Sequence, residues 1–206
     1  MTNIKHQLHA LFQGKLFTRP LFYQNPGALR FSLSESGHAL QQFITAHRKA
    51  SEIAEYIFSP GSLSYLCLRF YGNRRLIVSR PLLRQLKQME LLPVTQTEYW
   101  QEPFDPTSDD EPDMGVWHHI AFRLQPEMLS SALWCALATD FPCIQPNPHA
   151  LVYLINAEQR VALFPYDDRG MDVIGDNHSR LSELYHRFNH YLLEHDRSLM
   201  AQYHAK

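Results

Sequence analysis

The clearest pattern in the first half of the chain is an apolar residue at every third or fourth position between residues 37 and 58. Residues three and four apart share one face of an α-helix, so this spacing predicts a long amphipathic helix. Shorter helices are predicted over residues 4–17, from Arg80 onwards and over residues 126–138. In the long helix, the positions predicted to share one face are Leu40, Phe43, His47, Ala50, Ala54 and Ile57.

Short apolar or alternating runs lie between these helices and indicate β-strands. The last three runs follow one another through tight turns, which favours an antiparallel or mixed sheet. We therefore expect an α+β fold with helices packed against the sheet, in one domain over residues 1–206. The chain is expected to close with a β-hairpin and one long helix over residues 179–202. The predicted strands are residues 28–33, 64–71, 115–124, 151–156, 160–166 and 171–174.

Composition and charge exclude several classes of protein. The chain has 19 basic and 21 acidic residues, and its net charge of −2 gives no large positive field to attract nucleic acid. No stretch reaches the ~18 uninterrupted apolar residues of a membrane span, and the first residues lack the apolar core of a secretion signal. The scattered cysteines, Cys67, Cys135 and Cys143, do not suggest a disulfide framework. We therefore expect a cytoplasmic protein without a cofactor or metal.

The composition changes between residues 101 and 114, where the chain has six carboxylates, three prolines and no basic residue. This stretch is predicted to be a loop, and one interpretation is a flexible, solvated connection. The alternative is a docking surface, because concentrated carboxylates beside aromatic anchors suit a basic protein partner. The residues predicted to bind such a partner are Asp105, Asp109, Asp110, Glu111, Asp113 and Trp117.

A second distinctive stretch, residues 166–174, places Asp-Asp-Arg-Gly between two apolar runs. Aspartate tolerates turns and Gly170 can adopt a positive φ, so a β-hairpin is predicted. In one interpretation the motif only shapes the turn, with Arg169 paired to Asp167 or Asp172. In the other it presents a functional polar cluster, although its acidic spacing does not match a calcium loop. The motif residues are Tyr166, Asp167, Asp168, Arg169, Gly170 and Asp172.

These residues carry a resemblance to a known family. The run YDDRGMDVIG and the following Leu184-Tyr185, Phe188-Asn189 and Leu192–Arg197 resemble the end of a bacterial family catalogued as domain of unknown function 3885. The opening Phe22–Pro26 with Leu29-Arg30-Phe31 is similar to the start of that family, but Leu33-Ser34 departs from its acidic pattern. The resemblance implies a shared fold and does not imply an activity.

No familiar catalytic motif is present in the sequence, which has neither a Gly-x-Ser-x-Gly elbow nor a cluster of phosphate-binding glycines. A small basic patch around Arg69, Arg74 and Arg75 is interpreted as a solvated turn. We therefore expect a non-enzymatic protein-binding module, such as an immunity protein that neutralises a basic toxin domain. The alternatives are an enzyme that uses Asp167, Arg169 and Asp172, or a purely structural or regulatory domain.

Overall fold

The computed structural model describes residues 3–73, 80–92, 97–103 and 115–205. In these residues, antiparallel strands form one sheet in the order β1-β7-β6-β5-β2-β4-β3. The strands are β1 (Leu29–Ser32), β2 (Ser64–Asn73), β3 (Glu98–Pro103), β4 (Gly115–Arg123), β5 (Leu151–Asn156), β6 (Val161–Asp167) and β7 (Gly170–Gly175).

Helices cover both faces of this sheet. They are α1 (Ile4–Leu11), α2 (Leu21–Gln24), α3 (Ala39–Ile57), α4 (Arg80–Gln88), α5 (Leu129–Leu137), α6 (His178–Arg187) and α7 (Arg197–His204). Short 3₁₀ turns precede and follow α5 and occur twice between α6 and α7. None of the described helices is both long and apolar enough to cross a membrane.

The alternation of side chains along β2 separates the two faces. Leu66 and Leu68 are fully buried on one side, whereas Cys67 and Arg69 lie on the other. The first side is covered by α3 and α5, which pack on each other, and Asn156 on this side donates a hydrogen bond to the last carbonyl of α3. The second side is covered by residues 4–24, which we call the N-terminal segment. Its Phe17 ring contacts Tyr153, with centroids 5.0 Å apart.

The α+β fold with an antiparallel sheet is confirmed, but the prediction of a loop over residues 101–114 was wrong at its start. Residues 101–103 belong to β3, which pairs with β4 along its whole length. This strand alternates, but two of its inward residues are Glu98 and Glu102, with only Trp100 supplying an apolar side chain. Glu98 accepts a hydrogen bond from the N–H of Ile4 and so caps α1. Because this capping role places a charged residue at an inward position, the strand lacks the apolar alternation by which it could be recognised in the sequence.

The closing segment is helical, but it forms two helices instead of the one predicted over residues 179–202. Leu192 and Leu193 are extended, with ψ angles of 136° and 119°. Leu192 forms a β-bridge with Phe31, and the N–H of Leu193 donates to the carbonyl of Arg30 over 2.9 Å. The chain leaves the helix because these two residues satisfy backbone groups at the outer edge of β1.

Candidate functional site

The strands that carry the two resemblance motifs, β1 and β7, are paired, and Arg30 is the cross-strand partner of Asp172. The Arg30 guanidinium binds this carboxylate at two points, Nε to Oδ1 at 2.7 Å and Nη2 to Oδ2 at 3.1 Å. The N–H of Phe22 also donates to Asp172, over 3.1 Å. Because Asp172 is only 2 % exposed, these donors replace the water that an ionised carboxylate needs.

A second carboxylate, Asp196, reaches Arg30 from the segment that precedes α7. Arg30 Nη1 lies 3.3 Å from Asp196 Oδ2, and the Tyr23 hydroxyl donates to Asp196 Oδ1 over 3.1 Å. The rings of Phe22, Tyr23 and Tyr166 surround the guanidinium at 4.7, 5.0 and 5.6 Å. Residues from both ends of the chain therefore meet in one cluster, which we call the Arg30 network: Tyr23, Arg30, Asp172 and Asp196.

Burial and charge pairing have opposite effects on the pKa values of Arg30 and Asp172 in the Arg30 network. Burial disfavours the charged guanidinium, but the hydrogen bonds and negative charge of Asp172 outweigh it and raise the pKa of Arg30. Burial raises the pKa of Asp172, against the opposing influence of Arg30. Burial likewise raises the pKa of Tyr166 to about 12, so this hydroxyl keeps its proton at neutral pH. Both oxygens of Asp172 already accept hydrogen bonds, which does not suit a general base.

The predicted hairpin is formed by β6 and β7, and Asp167 organises its tip. Asp167 Oδ1 accepts the N–H of Arg169 over 2.8 Å, and Oδ2 accepts Arg169 Nε over 2.9 Å. Of the two predicted partners of Arg169, the structure selects Asp167, because Asp172 is occupied by Arg30. The four residues predicted as a polar cluster line one cleft of about 450 Å³ and are Tyr166, Asp167, Arg169 and Asp172. The same cleft is also lined by Arg19, Pro20, Arg30 and Phe164.

Gly170 is required for a different reason from the predicted one. Its φ is not in the left-handed region, unlike that of Gly27. Instead, the ring of Tyr166 lies against its Cα, so that a Cβ at this position would collide with the Tyr166 hydroxyl. The same Cβ would lie 3.0 Å from the carbonyl oxygen of Phe31 in β1. The glycine therefore allows the close approach of Tyr166 and β1 to the hairpin.

Asp168 is absent from the lining of the first cleft and instead lines a second cleft together with Arg169, Glu35 and Asp140. It is 7 % exposed, and burial, followed by the charges of Asp167 and Asp140, raises its pKa. The described residues contain no group of three or more histidine, cysteine, aspartate or glutamate side chains placed to hold a metal ion.

The acidic residues predicted to bind a partner, Asp105, Asp109, Asp110, Glu111 and Asp113, lie outside the described residues. Trp117, predicted with them, is half-buried in β4. Its ring lies 4.2 Å from the guanidinium of Arg69 and makes an edge contact with Tyr71. One face of this tryptophan is therefore covered by a cation from β2.

Arg69 is the residue that sequence reasoning misplaced. It is not on a solvated turn, because it lies within β2 and is only 7 % exposed. The sequence did contain a signal that Arg69 is buried. It lies in the predicted strand 64–71, two residues after Cys67, and therefore on the same face of the strand as Cys67. An arginine at an inward position of an otherwise apolar strand indicates a buried charge, and buried charges have a structural or functional reason.

The comparisons with known proteins agree with the resemblance. Residues 4–196 match the model of the family described as Domain of unknown function (DUF3885). No curated protein and no solved structure matches the chain. The matched range includes every member of the Arg30 network, and the chain belongs to the DUF3885 family.

Proposed function

We propose that this protein is a non-enzymatic binding module that docks a basic segment of a partner protein along the outer edge of β3. An immunity protein that neutralises a basic toxin domain would work in this way. The observation that carries the proposal is the contrast between the two edges of the sheet. One edge is covered by the protein itself, whereas the other lacks a neighbouring strand among the described residues.

The covered edge is that of β1, where Leu192 bridges Phe31 and Leu193 donates to Arg30. The other edge is that of β3, which pairs with β4 on one side and with no further strand in the described chain. An edge strand presents a row of N–H and C=O groups, and extended peptides bind such rows by adding a strand. This difference supports docking at β3 over docking at β1.

The chemistry next to β3 favours a basic partner. The sequence that follows the strand, residues 104–114, contributes five carboxylates and no basic residue. Such a local negative charge speeds the approach of a basic segment. Tyr99 of β3 is 37 % exposed, and its hydroxyl is 2.6 Å from Nδ1 of His118, which fixes the ring in position. An exposed, oriented tyrosine is typical of binding surfaces.

The enzyme hypothesis has less support from the same contacts. Asp167 and Arg169 bind each other at the hairpin tip, and Asp172 is held by Arg30. A nucleophile or general base needs a group that is free to exchange a proton with a substrate. A purely structural or regulatory role is the remaining alternative, and it predicts that no partner is captured.

The test is affinity capture from a lysate of the native cells with three immobilised proteins. These are the wild type, Asp109→Lys/Asp110→Lys, and a matched control, Glu55→Lys/Glu127→Lys, which reverses two exposed carboxylates elsewhere. We expect the wild type and the control to retain one basic protein in stoichiometric amount and the first variant to lose it. Hydrogen exchange of the complex should slow at residues 98–103. Equal capture by all three proteins, or protection confined to the hairpin, would contradict the proposal.

A further inference from the structure

Arg69 is a buried cation without a carboxylate partner in the described part of the chain. Its Nη1 donates to the carbonyl of Phe17 over 3.1 Å, while its Nε has no hydrogen-bond partner there. The guanidinium lies against the rings of Trp117 and Phe17, at 4.2 and 5.4 Å. Removing a charged group from water is unfavourable, and proteins normally compensate for this with an opposite charge.

Three other described arginines in or beside the β-strands do have such partners. Arg30 binds two carboxylates, Arg169 binds Asp167 and Arg160 binds Asp176. Arg69 is more buried than any of these, with 7 % of its surface exposed. Among these four arginines, the most buried one is therefore the one without a carboxylate partner in the described part of the chain.

Arg69 faces a cleft of about 490 Å³ between the N-terminal segment and the sheet. The cleft is lined by further basic residues of the N-terminal segment, Lys5, His9 and Arg19. Among the described residues that line the cleft, the one carboxylate is that of Glu102. It is already engaged, since it accepts a hydrogen bond from Trp100 Nε1 over 3.0 Å and lies 3.8 Å from Lys5 Nζ. The described residues of the lining therefore include more basic than acidic side chains.

Two further buried polar groups lie near Arg69, the hydroxyl of Tyr153 and the ring of His119. His119 Nε2 is 3.5 Å from a Glu102 oxygen, which is too long for a well-formed hydrogen bond. Burial lowers the pKa of His119 to about 3, so its ring is neutral and does not compete with Arg69 for an anion. Burial raises the pKa of Tyr153 to about 12, so its hydroxyl keeps a proton.

We propose that this cleft binds the phosphoryl group of a small organic phosphate, with Arg69 as the buried anchor and Arg19 and Lys5 at the rim. A guanidinium donates to phosphate oxygens at two points, and a phosphoryl group carries enough negative charge to offset several cations. The cleft is much larger than a phosphate ion, whose volume is on the order of one or two waters. The half-buried Phe17 and Trp117 supply apolar surface for the remainder of the ligand.

The proposal is tested by titrating the intact protein with inorganic phosphate, phenyl phosphate and benzoate, using calorimetry and thermal unfolding. We expect phenyl phosphate to bind more tightly than inorganic phosphate, and both to bind more tightly than benzoate. Stronger binding of inorganic phosphate than of phenyl phosphate would identify a site for the free ion and overturn the small-ester assignment. Failure of all three to bind or to raise the melting temperature would overturn the site altogether.

Variants separate a binding role from a structural one. Arg69→Met keeps an unbranched side chain without the charge and should weaken phenyl phosphate binding by about tenfold or more. It should leave the free protein as stable as the wild type or more stable, because an unpaired buried charge is removed. Arg123→Met, which removes an exposed cation of β4 outside the cleft, should leave the affinity unchanged.

Two results with these variants would contradict the proposal. A large loss of stability in Arg69→Met would show that the guanidinium serves to hold the N-terminal segment through the Phe17 carbonyl and not to bind an anion. Unchanged phenyl phosphate affinity in a folded Arg69→Met protein would remove Arg69 as the anchor. If Arg69→Met does not fold, Arg19→Gln at the exposed rim provides the second measurement, with a severalfold loss of affinity expected and no loss overturning the site. Partner capture at β3 is measured separately and does not depend on Arg69.

Discussion

Arg30 and Asp172 are cross-strand neighbours whose side chains form a two-point ion pair, although they are 142 positions apart in the chain. The pair connects the strand that follows the N-terminal segment to the second strand of the hairpin. Asp196 extends the connection to the start of the last helix. The motif residues by which the sequence resembles its family are therefore the residues that hold the ends of the chain on the sheet.

This connection predicts a large loss of stability when one partner is removed. Asp172→Asn keeps the shape of the side chain but leaves the buried charge of Arg30 with only Asp196 as an anionic partner. We expect the free energy of unfolding to fall by about 3 kcal/mol, as for other buried ion pairs broken on one side. Denaturant titration measures this change, and a double-mutant cycle with Arg30→Met isolates the part that belongs to the pair.

The matched control is the exposed ion pair between Arg160 and Asp176, whose side chains are 49 % and 43 % exposed. Asp176→Asn should cost at most about 1 kcal/mol, because water screens an exposed pair. Similar losses for Asp172→Asn and Asp176→Asn would show that the Arg30 network contributes no more than a surface contact.

Gly170→Ala should destabilise the hairpin because the new Cβ collides with the Tyr166 hydroxyl. The expected loss is about 1–3 kcal/mol, the range for overpacking a buried position. In a Tyr166→Leu background the aromatic ring is absent, so the additional cost of Gly170→Ala should decrease. Thermal or denaturant unfolding of the four proteins tests this coupling, and equal costs in both backgrounds would rule out the collision as the cause.

Buried His119 should make stability depend on pH. Its pKa in the folded protein is about 3, below the ordinary value of 6.5, so under pH 6.5 the unfolded chain takes up a proton that the folded protein does not. The stability present above pH 6.5 is therefore lost as the pH falls towards 3, by at most about 1.4 kcal/mol per pH unit. Replacement His119→Phe should flatten this slope, measured by unfolding at several pH values.

The control for this measurement is His6→Phe, which removes an exposed histidine of α1 and not a buried ring. Its slope between pH 6.5 and 3 should match that of the wild type. If His119→Phe keeps the wild-type slope as well, the acid sensitivity of the protein does not come from His119.

The bridge that covers β1 can be tested with proline. Leu193 has φ −63°, which proline adopts without strain, so Leu193→Pro removes the N–H donor to the Arg30 carbonyl and leaves the backbone path intact. Compared with Leu193→Ala, which accounts for the lost side chain, the proline variant should be less stable by about 1 kcal/mol. Equal stability of the two variants would mean that this hydrogen bond does not hold the segment on β1.

The sequence was sufficient to predict elements with a regular apolar pattern. The apolar periodicity of residues 37–58 corresponds to α3, and the three late strands are in their predicted positions. It was insufficient where polar residues face inward, as with Glu98 in β3, because the strand then lacks an apolar alternation. It also failed at Leu192-Leu193, where pairing with β1 overrides a helical pattern.

The candidate sites were likewise predictable only in part. The hairpin and the pairing of Arg169 with Asp167 could be predicted from the sequence, because they depend on residues that are close together in the chain. The Arg30–Asp172 pair could not be predicted, because the prediction requires knowing that β1 lies beside β7. The unpaired charge of Arg69 could not be predicted either, because a missing partner is recognised only once the positions of the surrounding side chains are known.

Under the proposed function, the partner binds at β3 and at the acidic residues that follow it, and the hairpin holds the fold together. The most direct test is one capture experiment with Asp109→Lys/Asp110→Lys and Arg169→Ala. Arg169 is suitable because its side chain is 71 % exposed. We predict that the double lysine variant loses the basic partner and that Arg169→Ala retains it at the wild-type level. Loss of the partner from a folded Arg169→Ala protein, with retention by the double variant, would place the binding surface at the hairpin and contradict the account.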